Sequence, residues 1–425
     1  MSEYIPRRLE KVIRKSMESN RIIYLTGPRQ SGKTSFLRSA FPELPLYNLD
    51  RSDHFELLES DLPGVLHQQS GGMIIDEAQR IPELHDELLQ AIDKNSHSGL
   101  FILSGSQNFH DRFLTYGNVK AGRDHHPGYH LFPYDISEAS PIAETGVYEC
   151  IKNGFYPHVL VQGIKPADFY PSYVQGCMER DIRLLRAMEQ PSLFINFLRS
   201  CAGHIGRVLN LSALADNVGI AVNTAKDWLG LLEANFLVYR LESHSHHYKK
   251  RIIKSPKLYF YDTGLASCLL RIPDASSVGQ HYLYGALFEN LVISEIVKYF
   301  RHSGTKPPIS YWRESNGMEI NCLLTTRTNR LFALEIKGGR RQSTEYFRNL
   351  KRFDKLLTSQ RPHTSAGHQK SEAIIPEVEK IVVYAGADTV FTPDTSMWSW
   401  HDMPRLLDKL LSASSEDHEA LSDSH

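Results

Sequence analysis

The stretch at residues 21–35, Arg-Ile-Ile-Tyr-Leu-Thr-Gly-Pro-Arg-Gln-Ser-Gly-Lys-Thr-Ser, restricts the folds open to this chain more than any other. An apolar, β-prone run leads into a glycine-framed loop, and Lys33-Thr34 opens an amphipathic helix carrying Phe36, Leu37 and Ala40. Gly27, Gly32, Lys33 and Thr34 fill the pattern G-x-x-x-x-G-K-[ST] without a gap. The two glycines let the backbone bend until successive N–H groups converge on phosphate oxygens. The positive end of the following helix points at the same place. The pattern predicts that Gly27, Pro28, Arg29, Gln30, Ser31, Gly32, Lys33, Thr34 and Ser35 wrap a nucleotide. Lys33 then reaches the β and γ phosphates and the Thr34 hydroxyl ligates Mg²⁺, which makes ATP and Mg²⁺ the expected cofactors. The fold class that follows is α/β, a P-loop NTPase parallel sheet with helices.

A second stretch fits the first. Gly72-Met-Ile-Ile-Asp-Glu-Ala reads as a buried strand delivering two acids at its C-terminal end, the Walker B arrangement. Asp76 is expected to hold Mg²⁺, directly or through water, and Glu77 to orient and deprotonate an attacking water. Residues 84–92 have helical spacing, and Leu100-Phe-Ile-Leu is another buried strand, ending in Ser104-Gly-Ser-Gln-Asn. Polar groups there belong between the two motifs, where Ser106 and Gln107 both suit a γ-phosphate contact. Farther on, Arg123 in Ala-Gly-Arg is either a γ-phosphate contact, in cis or across a subunit boundary of a homo-oligomer, or an ordinary surface arginine.

Composition narrows the partners. A chain of 425 residues predicts two or three domains, at about 100–200 residues each. A net charge of −1 excludes binding of nucleic acid by overall charge, so any such contact must come from a local patch. Five cysteines without a C-x-x-C pair suggest reduced thiols and oppose a zinc module. No apolar run has membrane-spanning length and the N-terminus lacks a signal-peptide core, so a cytoplasmic protein with no membrane partner is expected.

Residues 4–20 read as one helix whose basic positions, Arg7, Arg8, Lys11, Arg14 and Lys15, form a solvated face. Residues 211–218 and 223–233 read as two helices around a Gly219 turn, with Ser212 and Asn223 as N-caps, followed by a strand at 236–241. That order is a winged helix-turn-helix. Its second helix has a single basic residue, Lys226, whereas the segment at 244–254 carries His246, His247, Tyr248, Lys249, Lys250, Arg251 and Lys254. A basic, aromatic wing suits DNA phosphates, and protein packing is the open alternative.

The chain resembles a widespread prokaryotic family of AAA-type ATPases that carry a C-terminal domain of unknown function. The likeness rests on residues 27–35, on Ile74-Ile-Asp-Glu-Ala-Gln-Arg-Ile-Pro-Glu-Leu, on Leu103-Ser-Gly-Ser-Gln-Asn and on Ala121-Gly-Arg. It continues through Asn153-Gly-Phe-Tyr-Pro, Glu179-Arg-Asp and Phe260-Tyr-Asp-Thr-Gly-Leu, where Asn153 departs from the family's glycine. The resemblance favours a nucleotide-linked role for Arg123. The C-terminal part, with a helix from Tyr284 and strands at 309–313, 319–324 and 331–336, resembles a PD-(D/E)xK nuclease domain. In that fold a helix glutamate, a strand aspartate and Glu-x-Lys gather Mg²⁺ and water at a phosphodiester. Glu289, Glu335 and Lys337 match, but Asn321 stands at the aspartate's place and Glu319 lies two residues away on the same strand face. An impaired centre is the expectation.

The organisation expected is thus 1–145 as an ATPase domain, 146–265 as a helical and winged-helix region, 266–411 as an impaired nuclease-like domain and 412–425 as a disordered acidic tail. The leading function is Mg²⁺-dependent ATP hydrolysis coupled to the winged-helix and nuclease-like parts. An ATP-controlled interaction module without hydrolysis-driven work and an ATP-dependent DNA nuclease are the alternatives.

Overall fold

A computed structural model describes residues 4–69, 71–95, 100–106, 127–139, 146–177, 191–244, 252–326, 328, 330–359 and 377–422. The N-terminal sheet contains β1 (Ile22–Thr26), β2 (Leu46–Asn48), β3 (Gly72–Asp76), β4 (Leu100–Gly105) and β5 (Gly128–His130) in the spatial order β2-β3-β4-β1-β5. Every neighbouring pair is parallel. β1, β3 and β4 are buried at every position, as expected of a parallel sheet covered on both faces. The period of two along each strand sorts the side chains into two cores. Ile22, Tyr24, Met73, Ile75, Phe101 and Leu103 pack against Leu58 and Leu62 of α3 (Ser52–Gln68) and Leu84 and Leu88 of α4 (Leu84–Asn95). Ile23, Leu25, Ile74 and Ile102 pack against Leu9 and Ile13 of α1 (Leu9–Met17) and Phe36 and Leu37 of α2 (Lys33–Ala40).

In the middle of the chain the helices Leu211–Val218 and Val222–Ala234 flank Gly219, whose φ of +78° supplies the left-handed turn. Asn210, rather than Ser212, caps the first of them by accepting from the Ala213 N–H, and Ala221 stands at the cap position of the second. An antiparallel pair follows, β6 (Val238–Leu241) with β7 (Lys257–Phe260). Of its connecting segment, residues 245–251, with His246 through Arg251, lie outside the described residues, whereas Ser243 and Ile252 bridge to Tyr311 and Glu314.

A six-stranded mixed sheet makes the C-terminal part: β8 (Ile309–Arg313), β9 (Glu319–Thr325), β10 (Leu331–Lys337), β11 (Val378–Tyr384), β12 (Val390–Phe391) and β13 (Thr395–Ser399), ordered β12-β13-β11-β10-β9-β8. The same alternation divides it. Leu334 and Ile336 face the long helix Tyr284–His302, whereas Leu331 and Ala333 face the helix Arg348–Thr358. The core on the long-helix side is continuous with that of the middle helices, so 146–265 and 266–411 share one apolar interior.

Both ends of the chain also differ from the sequence expectation. The N-terminal helix runs only from Leu9 to Met17, and Pro6 disfavours helical backbone at Ile5. Residues 412–422 are helical, not disordered: Met403–Ser422 is one helix, anchored by Leu406, Leu407 and Leu410. No glycine or proline follows Leu411 to stop it, and composition alone concealed that continuity.

Outside the helix, Arg7 turns inward and is 4% exposed. Its Nη1 donates to the Ser31 carbonyl at 3.3 Å, its Nη2 to the Phe132 carbonyl at 2.6 Å, and its Nε to Glu138 at 3.1 Å. His302, at the end of the Tyr284–His302 helix, places Nδ1 2.9 Å from Asp135 and accepts at Nε2 from the Phe132 N–H at 3.2 Å. The nearby carboxylates favour a charged ring, yet a backbone donor aimed at Nε2 requires a lone pair there, so the imidazole is neutral with Nδ1–H given to Asp135. Among the described residues Asp135, Glu138 and His302 are close enough to share a metal, but Glu138 is already paired with the Arg7 guanidinium and Asp135 already accepts from His302. Glu295 accepts from the Ile136 N–H at 2.6 Å and Lys298 donates to the Tyr134 carbonyl at 2.8 Å. One helix thereby grips 132–138 at three successive turns. Replacing Arg7 by Met should cost about 3–5 kcal/mol in urea unfolding, because Glu138 is left buried and uncompensated. Adding Glu138→Leu should recover part of that loss; a single-variant cost below about 1 kcal/mol would contradict the assignment.

Candidate functional sites

The sheet order places β4 between the strand that precedes the P-loop and the strand that ends in two acids. Register aligns Asp76 with Ser104, and Gly105 with Thr26, so the C-terminal ends of three strands meet at one level. Gly27 is required by proximity: a Cβ there would lie 2.2 Å from the Leu131 carbonyl oxygen. Gly32 has a φ of +95° where α2 begins, which only glycine adopts freely. Inside the loop the buried Lys33 ammonium donates to the Gly27 and Pro28 carbonyls, both at 2.9 Å.

Asp76 is fully buried and satisfied on every side. Thr34 Oγ1 and Ser104 Oγ each donate to it at 2.5 Å, and Asn48 Nδ2 does so at 3.2 Å. A hydroxyl and a carboxylate so close form a hard-oxygen donor pair that fits Mg²⁺. Glu77 follows in a left-handed conformation, φ +58°, which turns it away from the strand direction. Gln79 Nε2 donates to its Oε2 at 2.6 Å and Ser106 Oγ does so at 3.4 Å. Burial raises the Glu77 pKa, with Lys33 opposing and Asp76 adding to the rise. Arg29 and Gln30 line a smaller opening beside Glu77, and Ser35 is exposed on α2. Gln107 and Arg123 lie outside the described residues.

A cleft of about 270 Å³ opens over this centre, walled by Lys33, Thr34 and Glu77 on one side and by Tyr4, Arg7, Tyr134 and Pro157 on the other. Two of the chain's distant motifs hold that second wall together. Asp262 accepts from the Phe155 N–H at 2.8 Å, the Leu265 N–H at 3.0 Å and the Tyr170 hydroxyl at 2.6 Å. Gly154 has φ +65°, and a Cβ on it would strike the Asp262 carboxylate at 2.2 Å. This packing presents Pro157 to the P-loop, 3.5 Å from where a Gly32 Cβ would stand. Asn48, Ser104 and Arg7 were not singled out by sequence as site residues. Ser104 had a signal, a hydroxyl ending a buried strand, whereas Arg7 looked like surface charge.

The second cluster surrounds Glu289. Its Oε1 accepts from Lys257 Nζ at 2.9 Å and from the Tyr259 hydroxyl at 2.5 Å. Lys257 also donates to Glu319, whose other oxygen accepts from Arg313 at 2.9 Å. Glu335 pairs with Lys337 at 2.8 Å and accepts from Asn349 at 3.2 Å. Asn321 faces the backbone, its Oδ1 accepting from the Ile336 N–H at 2.9 Å. Lys257, Tyr259 and Asn349 went unseen in the sequence. The only signal was a lysine opening an apolar strand.

Residues 19–140 match a family model described as an AAA domain. Residues 145–276 and 284–401 match two models described as domains of unknown function, DUF8612 and DUF4143. The uncharacterized proteins Rv2008c of Mycobacterium tuberculosis and Mb2031c of Mycobacterium bovis are each 26% identical over 333 residues, covering 76% of this chain and 72% of theirs. Among solved structures, a Walker-type ATPase of Pyrococcus abyssi aligns with a TM-score of 0.42 at 16% identity, covering 62% of this chain and 94% of that one. The RuvB Holliday junction branch migration motor of Thermotoga maritima aligns with a TM-score of 0.26 at 16% identity, covering 55% and 88%. The parallel order of the N-terminal sheet, with the P-loop after β1, agrees with the AAA-domain match over residues 19–140. Among the described residues no helix is long and apolar enough to cross a membrane.

Because Ser104 and Asn48 orient the Asp76 carboxylate, alanine at either position should weaken Mg²⁺-dependent nucleotide affinity by about 10–100-fold. Affinity measured in EDTA with a fluorescent nucleotide should not change. Equal losses with and without the metal would assign both residues to the fold alone.

Proposed function

We propose that the protein is an ATPase that binds Mg·ATP at Gly27–Thr34 and hydrolyses it with Glu77 as the water-orienting base. The observation that carries this reading is the meeting of Lys33, Thr34, Asp76 and Glu77 at one end of the sheet, with Thr34 and Asp76 2.5 Å apart. Lys33 brings a buried positive charge to the β and γ phosphates. Backbone N–H groups of the loop and the start of α2 add to it. Charge neutralisation on the phosphate oxygens is the chemistry supplied by Mg²⁺ once held by Thr34 and Asp76. Glu77, oriented by Gln79 and Ser106, accepts a proton from the attacking water. Its raised pKa makes it a stronger base than an exposed carboxylate, at the cost of being protonated in mild acid.

The cycle reaches the rest of the chain through the cleft's own wall. Arg7 lines the cleft, holds the Ser31 carbonyl of the loop and contacts the segment gripped by His302. Nucleotide-dependent movement of the loop therefore acts on the Tyr284–His302 helix, which leads into the C-terminal sheet.

Lys33→Ala should abolish ATP binding. Glu77→Gln should retain binding while turnover falls about 10²–10⁴-fold. Wild-type turnover should decline with falling pH along a limb lying above the ordinary glutamate value of about 4.3, since Glu77 must be deprotonated to act. Phosphate release from both variants at the wild-type rate would refute the reading.

A further inference from the structure

In a PD-(D/E)xK-type centre the acids need oxygen lone pairs free for a divalent ion. Here each acid already has a cation of the chain. Lys257 lies between Glu289 and Glu319, Arg313 holds the second oxygen of Glu319, and Lys337 holds Glu335. Three carboxylates meet three fixed positive charges, so the local sum is zero before any ion arrives. Asn321, at the aspartate's place, spends its carbonyl oxygen on the β10 backbone.

Lys257 is 1% exposed and enters from β7, a strand of the middle region rather than of the C-terminal sheet. Burial lowers the Lys257 pKa, but Glu289 and Glu319 outweigh that and raise it, so the group stays an ammonium. Its Nζ also stands 5.5 Å from the Tyr311 ring centre. A divalent ion bound by Glu289 and Glu319 would have to sit at the ammonium's position, within about 2–2.6 Å of their oxygens, or beside it against its charge. Glu335 Oε2 is buried and without a hydrogen-bond partner, and both hydrogen bonds to Glu289 fall on its Oε1, so an ion reaching their other oxygens would still meet the Lys257 ammonium beside Glu289. Burial pushes the pKa of Glu335 up, with Lys337 and Asn349 opposing the rise.

We propose that Lys257 is the resident cation of this centre: it occupies the divalent-ion position between Glu289 and Glu319, closes the site to Mg²⁺ and Mn²⁺, and ties the middle hairpin to the long helix and β9. The geometry assigns the cluster a mechanical role, a brace between two parts of the chain, in place of phosphodiester chemistry.

Titration of the full chain with Mn²⁺, followed by the electron paramagnetic resonance of the free ion, tests this without nucleotide and in an Asp76→Asn background that removes the P-loop contribution. That chain should bind no Mn²⁺ up to about 1 mM. Adding Lys257→Met should create one bound Mn²⁺ per chain, and adding Glu289→Gln to that variant should abolish it. Mn²⁺ binding with Lys257 present that is lost in Glu289→Gln would overturn the proposal, as would a folded Lys257→Met chain that gains no ion. Should Lys257→Met not fold, thermal melts of the Lys257-containing chain decide. An unchanged Tm on adding Mn²⁺ supports the proposal; a rise that Glu289→Gln removes overturns it.

Discussion

Arg7 is a charge withdrawn almost completely from water and hydrogen-bonded at once to the P-loop, to the strand-end segment that follows β5 and to Glu138. Removing an ion of this kind from water costs several kcal/mol even after relaxation, and the cost is offset only where its donors are used and its charge is matched. Those conditions make Arg7 stringent. Its partners lie on 31, 132 and 138, and 132 is in turn tied to His302. The geometry therefore holds only if the P-loop, the cleft wall and the end of the long helix take their positions together.

The same device recurs along the seams of the molecule. Lys298 reaches the Tyr134 carbonyl from the long helix, and Lys257 reaches Glu289 and Glu319 from the middle hairpin. Apolar burial gives each part its core and most of its stability, but it is non-directional. Buried cations with fixed partners give the register between parts. An AAA-type sheet, a helical middle and a mixed C-terminal sheet thus become one body in which the nucleotide cleft and the acid cluster stand at opposite ends of the Tyr284–His302 helix.

Legibility in the sequence followed the range of the interaction. The P-loop was readable because its chemistry is local: glycines, lysine and threonine act within eight residues of one another. The parallel sheet was readable from apolar runs, and the strand ending at Ser104 could be placed between the two motifs by its polar end. The long helix was anticipated only in its first turns, since polar residues such as Glu295 and Lys298 concealed how deeply it is buried. Arg7, Asn48 and Lys257 escaped because their meaning lies in partners far along the chain, and a lone arginine or lysine reads as surface charge. Asn321 was visible as a departure. Its replacement of a metal ligand by a backbone tie, and the lysine that completes the cluster, required the fold.

The central claim is that the nucleotide cleft and the long helix form one mechanical unit joined through Arg7. Hydrogen exchange on the Glu77→Gln chain, with and without Mg·ATP, tests it most directly. Slowed exchange is predicted in the P-loop together with residues 131–139 and the His302 end of the Tyr284–His302 helix, with the distant part lost in Arg7→Met. Protection confined to the P-loop, or a distant response unaffected by Arg7→Met, would contradict the account.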